Sequence, residues 1–394
     1  MRGVFMRKYF YATISFFLIG YCSHVLAQAP VLYKWGEKYG YKDPVTGSVL
    51  IVPIYEKAFP FSEDRALVYK SQLAYFIDPK GAIKVKLKYD SIYAFSQGYA
   101  AIMQQGKWGF IDKLGTVKIP LLYDKVGSFK EGFAVVFLKG KYGFVNPSGK
   151  LVIPAIYEHA FEFSEGLAAV KNGGKYGYIN ALGKWVIPAS FDQASNFFKQ
   201  RAVIVQNQRY GVIDHKGVPV IAPVYDWISA YSDGLVRLQK GSLWGFADRE
   251  GKVIVPVAYD WASDFNEGYA KVRKGKEYSI IDVKGKAVLS GGFQWVEEVK
   301  DGKCMVVKNG YWAVFDVATQ GFNTLNYTVN RMYSEDYAVV FYQGKFGYIN
   351  LKGEVVISFR YDYAYDFVSG WAEVMLDGTA FVIDTHGKCV KYCK

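Results

Sequence analysis

The chain predicts an all-β fold built from tandem repeats of short antiparallel strands. They are stacked as an open solenoid or superhelical array, with a β-propeller-like arrangement as the alternative. Three observations predict it. An acidic or amide residue recurs every 34 residues without interruption, at Asp78, Asp112, Asn146, Asn180, Asp214, Asp248, Asp282, Asp316, Asn350 and Asp384. Such a period means one supersecondary unit copied end to end, each copy burying its apolar face on its neighbours. Helical repeats can share this period, but Gly173, Gly174, Gly183 and Pro188 within one unit break any helix longer than two turns. The same units are rich in Tyr, Val, Ile and Phe, which favour strands.

Each element of the unit follows from its residues. A first strand resembles residues 167–170, and a turn follows at a glycine such as Gly140, Gly174 or Gly344. A second strand resembles residues 175–179. It runs into a turn from the Asp/Asn position to a glycine three residues on, as in Asp112 to Gly115 and Asn180 to Gly183. Asp and Asn side chains bond nearby backbone N–H groups and glycine supplies positive φ, so this spacing is turn chemistry. A third strand resembles residues 184–187 and stops at a proline: Pro120, Pro154, Pro188 or Pro256. Buried-type residues then recur every three positions, as in Tyr123, Val126 and Phe129 or Tyr157, Ala160 and Phe163. That spacing predicts a helical turn or 3₁₀ segment across the strands. An acid follows the tyrosine (Asp90, Asp124, Glu158, Asp192, Asp226, Asp260, Asp362), and a glycine such as Gly132 or Gly166 ends the segment. Residues 34–64 form an earlier copy with one extra residue before Gly47, and a last, incomplete copy starts near Trp371.

These elements resemble the WG-repeat family, named for its Trp-Gly dipeptide. The match runs through Lys107-Trp108-Gly109-Phe110-Ile111-Asp112, then Gly115, Ile119-Pro120, Tyr123-Asp124, Phe129 and Glu131-Gly132. It covers essentially all of residues 34–394, as about ten units plus terminal fragments. Only Trp108-Gly109 and Trp244-Gly245 carry the in-phase dipeptide; other copies read Tyr142-Gly143, Tyr176-Gly177, Tyr210-Gly211 and Phe346-Gly347. Trp35-Gly36 lies four residues out of phase with Tyr39-Gly40. The resemblance implies a β-rich repeat array in bacterial proteins, often exported. It transfers no catalytic residue and no ligand.

Residues 1–27 read as a secretory signal peptide. Arg2, Arg7 and Lys8 precede an apolar run over 9–21, and Val25-Leu26-Ala27 fits a cleavage site. The run is too short for a good membrane span. The expected product is residues 28–394, exported to the periplasm, the cell surface or the medium, with no transmembrane segment. Removing the leader's basic residues lowers the formal net charge of +12 by three. Part of the basic excess is periodic, at Lys107, Lys141, Lys175, Arg209 and Lys345. Export argues against nucleic acid as a partner. Cys304, Cys389 and Cys393 are too few for a disulfide scaffold, although Cys389 and Cys393 are placed to staple the end of the chain.

No catalytic set stands out. There is no nucleophile elbow, no His-Glu-x-x-His and no phosphate-cradling loop. His159, His215 and His386 fall at different repeat positions, so no metal or cofactor is expected. The position after the Tyr-acid pair varies most: Ser91, Lys125, His159, Gln193, Trp227, Trp261, Trp295, Val329 and Tyr363. It therefore reads as exposed. Trp227, Trp261 and Trp295 occupy it in three consecutive units, and form the candidate ligand-binding set. Stacked at repeat spacing, they predict either an aromatic ladder for sugar rings or a protein, or indoles packed on one another and between units. Copies over 286–334 are the most degenerate, with Ser290 and Thr324 in the proline position. The expected function is non-enzymatic binding or scaffolding of another protein or a cell-envelope or extracellular glycan. The alternatives are a carbohydrate-processing or envelope-remodelling enzyme and a purely structural spacer.

Overall fold

The computed structural model describes residues 29–393; the expected leader and its cleavage site lie outside them. The described residues form 43 strands and no helix. The strands make eleven antiparallel sheets, one of three strands and ten of four, each joined in simple meander order. The chain divides after Leu121 into two compact units.

The four-stranded meander is the blade of a β-propeller, so the expected open solenoid is wrong and its alternative correct. The reason lies in how the sheets bury their faces. Second and third strands are covered on both sides, as in Leu167–Asn172 and Lys175–Asn180. Apolar clusters accordingly span neighbouring sheets. One joins Phe144 and Ile153 to Phe163, Ala168 and Ile179, and another joins Phe246 and Val255 to Phe265 and Ile281. The core is thus a series of inter-sheet layers within each unit.

Two expectations about the unit change. The three-residue spacing is not a helical turn. His159–Ala160 is a two-residue strand, and an extended segment leads to a Ser164–Leu167 bridge. Tyr157, Ala160 and Phe163 are buried as the spacing demands, but on extended backbone. Such a short strand is the first of most sheets, which makes four strands rather than three. Nor does the last strand stop at proline: Leu151–Tyr157 and Trp185–Phe191 run through Pro154 and Pro188. It is an edge strand, where a missing N–H on the open side removes no ladder bond.

The aromatic-Gly dipeptide has a steric origin. The last strand bulges opposite it, with register shifts either side of Phe144 and of Tyr178. A Cβ on Gly143 would lie 2.7 Å from the Ile153 carbonyl oxygen, and one on Gly177 2.5 Å from that of Ile187. In the degenerate ninth sheet Ala313 replaces this glycine, and Tyr311–Asp316 pairs with Gly321–Thr324 in unbroken register. The glycine is not obligatory for the bulge: Ser279 stands at this position in the eighth sheet, and the last strand still bulges opposite it.

Three sets of acids hold the turns. Asp112 Oδ1 accepts from the N–H groups of Leu114 and Thr116 at 2.9 Å, and Oδ2 lies 3.2 Å from Lys118. The acids after the tyrosine cap the hairpin between second and third strands; Asp226 and Asp260 accept from Gly241 and Gly275 at 2.6 Å. Periodic cations meet them: Lys175, Arg209 and Lys345 pair with Asp192, Asp226 and Asp362. The third set links one repeat to the next. Glu131 accepts from the N–H groups of Glu165 and Gly166, Glu165 from Gln200, and Glu267 from Asp301. Ser164, Ser232 and Ser334 add bonds to carbonyls 33 residues ahead. At the end of the chain Cys389 and Cys393 are joined in a disulfide.

Two outcomes follow. Gly177→Ala should destabilise the protein by about 1–3 kcal/mol through overpacking against the Ile187 carbonyl, measured by urea denaturation. Hydrogen bonds from Thr319 and a bond to Lys303 hold the Asp316 carboxyl down to about 2, and Asp78 and Asp112 are also lowered. A lowered folded value contributes stability that is present above the unfolded value near 4 and is lost as pH falls through the folded one. An acid titration followed by circular dichroism should therefore lose stability progressively between about pH 4 and pH 2.

Candidate functional site

The variable position of the sequence is the first residue of the short first strand in most sheets. Lys125, His159, Gln193, Trp227, Trp261, Trp295 and Tyr363 each open such a strand. It pairs only with the second strand, so its other side carries no sheet neighbour. Repeat-specific side chains gather here, while most acids elsewhere hold turns.

Trp227, Trp261 and Trp295 are half-buried on these strands. Among the described residues they make no ring contact with one another, so mutual indole packing does not describe them. Cations of the chain sit against them instead. The Arg237 guanidinium lies 5.2 Å from the Trp227 ring and 4.7 Å from Trp244. Its Nε is 3.4 Å from Asp264 in the next sheet. The Lys271 ammonium lies 5.4 Å from Trp261, 5.9 Å from Tyr278 and 4.7 Å from Trp295 of the next sheet. Lys271 is only 7 % exposed. Trp295 Nε1–H donates to Glu297 Oε2 at 3.3 Å. The indoles are thus fixed by cation–π contacts, worth about 2 kcal/mol when desolvated, and each keeps part of its surface open. A sequence signal for this was present. The positions of Arg237 and Lys271 are Ala169, Val203, Met305 and Val339 in other copies and Glu373 in the last, so two cations stand in a mostly apolar column.

The degenerate region carries a cleft of about 250 Å³ lined by Glu267, Glu297, Lys303, Cys304 and Tyr333. Three of its polar side chains are engaged within the chain. Glu267 holds the Asp301 N–H, Lys303 lies 3.0 Å from Asp316, and Tyr333 donates to the Asn350 carbonyl at 3.0 Å. Burial pushes the Cys304 thiol up to about 12, which leaves it un-ionised at neutral pH.

The histidines are far from forming a centre. His215 Nε2 lies 3.1 Å from Glu165 and its ring packs on Phe197. The His159 ring sits between Tyr142 and Phe161, 5.2 and 4.7 Å away. Burial, with the charge of Lys171 adding to it, lowers the His159 pKa. Among the described residues no group of three or more His, Cys, Asp or Glu side chains is placed to hold a metal ion.

Comparison with known proteins gives one family. A family model described as a WG containing repeat matches residues 39–72, 76–108, six consecutive stretches over 108–312, and 346–379. The unmatched stretch 313–345 includes the copy without the glycine and the bulge. No curated protein sequence matches the chain. Among solved structures, PorZ, a surface component of the type-IX secretion system of Porphyromonas gingivalis, aligns at 12 % identity with a TM-score of 0.28. That alignment covers 88 % of this chain and 60 % of PorZ, so the chain spans under two thirds of that protein. A eukaryotic initiation factor aligns at 11 % identity and a TM-score of 0.40, over 91 % of this chain and 94 % of that one.

Lys271→Ala should empty the space between Trp261 and Trp295. The expected result is a stability loss of about 2 kcal/mol and stronger acrylamide quenching of tryptophan fluorescence, with the far-ultraviolet spectrum retained.

Proposed function

Because the chain belongs to the WG-repeat family and folds into propeller-type blades, we propose that it is an exported, non-enzymatic binding or scaffold protein. Its partner is a cell-envelope or extracellular glycan or another surface protein, met at the first strands of the seventh to ninth sheets. The carrying observation is the placement of Trp227, Trp261 and Trp295. Three partly open indoles, one per sheet, sit where the fold asks for no particular residue, and Arg237 and Lys271 hold them in place. Rigid aromatic anchors lose little freedom on binding, which favours recognition by such a surface. The turn roles of the acid ladders support a binding rather than a catalytic reading, since those carboxylates already accept backbone hydrogen bonds.

The test is binding of the purified protein to a panel of envelope and extracellular polysaccharides, beside the triple variant Trp227→Ala/Trp261→Ala/Trp295→Ala with its fold checked by circular dichroism. Binding that the folded variant loses by at least tenfold is the expected result. Binding that the variant retains overturns the indole surface. No binding to any polysaccharide turns the reading to a protein partner, sought by crosslinking on intact cells.

A further inference from the structure

A second cleft lies on the same first-strand surface, in the sheets that directly precede those of the indoles. It measures about 360 Å³ and spans three sheets, lined by Lys125 and Gly127 from the fourth, His159, Phe161 and Glu162 from the fifth, and Asn196 from the sixth. That volume lies within the range of small-molecule sites.

The fold does not call for these residues. The position of Gly127 and Phe161 is Ser195, Ser229 and Ser263 in the next three sheets. There the hydroxyl accepts a second-strand N–H, from Val203, Arg237 and Lys271 at 2.9–3.0 Å, and donates to the next carbonyl. Gly127 and Phe161 keep the backbone bonds of the position, to the carbonyls of Val135 and Ala169 at 2.9 Å, but replace the serine. Gly127 has no positive φ to explain it. Its missing side chain leaves room in front of Glu162, and a Cβ there would come 3.2 Å from Glu162 Oε1. Phe161, 37 % exposed, puts an apolar face beside that room, next to the rings of His159 and Tyr176.

The polar groups point to the ligand's chemistry. His159 Nδ1 and Asn196 Oδ1 are both buried and meet no hydrogen-bond partner in the protein. Asn196 Oδ1 accepts, Glu162 accepts while pairing with Lys130, and neutral His159 takes either role. With the Glu162 charge met by Lys130, and with the Lys125 ammonium and the Asn196 amide supplying donors beside these acceptors, the set suits an uncharged ligand rich in hydroxyls, which both donate and accept. Aromatic faces beside hydroxyl-seeking groups suit a pyranose ring, with its apolar C–H face and its rim of O–H donors. We propose that this cleft is a subsite for one neutral hexopyranose residue of a glycan. It rests on the reading of the chain as a binding protein, but on residues separate from the three indoles.

The experiment is saturation-transfer NMR on the purified protein with methyl α-glucopyranoside, methyl β-galactopyranoside, methyl α-mannopyranoside and methyl glucuronoside at millimolar concentration. It is repeated with Gly127→Ser, Phe161→Ser and the triple indole variant. Both serine variants install the residue that the next three sheets carry, so their melting temperatures should match the parent. At least one neutral hexoside should bind, more tightly than the glucuronoside. Its affinity should fall at least tenfold in Gly127→Ser and Phe161→Ser. The subsite is overturned if no neutral hexoside binds, if both serine variants bind as the parent does, or if the glucuronoside binds best. Polysaccharide binding that depends on the indoles, without hexoside binding, would sink the cleft and leave the broader reading standing.

Discussion

A sheet of four short strands has two apolar faces and no chain of its own to cover either. Everything else in this protein answers that constraint. Phe144, Ile153 and Tyr157 of one sheet are buried only because Phe163, Ala168 and Val170 of the next lie on them, and the same layer recurs from sheet to sheet within each unit. Burial at about 25 cal/mol per Å² of apolar surface supplies the drive. The identical spacing of the layers explains why the repeat keeps one length.

Hydrogen bonds then set the direction of stacking. Each inter-repeat acid sits at a turn with positive φ, as Glu131, Glu165 and Glu267 do, and reaches the backbone of the following turn. Where a serine precedes the acid, as Ser164 and Ser232 do, it binds a carbonyl in the same neighbour. Apolar layers alone would tolerate sliding; these paired contacts do not. Cation–π contacts of Arg237 and Lys271 add a third kind of link in the seventh to ninth sheets, where the indoles lie.

Much of this was legible in the residues. The Asp-to-Gly spacing named a turn whose bonds the structure contains, and Tyr39-Gly40 was the in-phase pair rather than Trp35-Gly36. A Cβ on Gly40 would meet the Pro53 nitrogen at 2.9 Å, whereas Gly36 faces open space. What failed did so for physical reasons. Spacing of three suggests a helix, but a two-residue strand followed by an extended segment buries the same positions. Proline suggests a stop, but an edge strand does not need its N–H. Stacked units of either architecture share one hydrophobic pattern, so period alone could not separate solenoid from propeller. The cleft was illegible for another reason: its opening depends on what Gly127 lacks, and its polar lining comes from three repeats. Only the departure of Gly127 and Phe161 from the serine of later copies hinted at it.

The contacts that span 34 and 35 residues also govern how this chain can change its length. A single residue inserted between Glu165 and Gln200 would carry the receiving N–H away from its carboxylate, unless a surface tip absorbed the slack. The one extra residue in the first copy is placed accordingly: it falls in the 43–48 turn, where Val45 is 81 % exposed and Asp43 still accepts from Val45 and Thr46. Growth or loss by whole repeats leaves every such contact in phase. The molecule is therefore digital in length, open to duplication of entire blades and closed to small insertions along its seams.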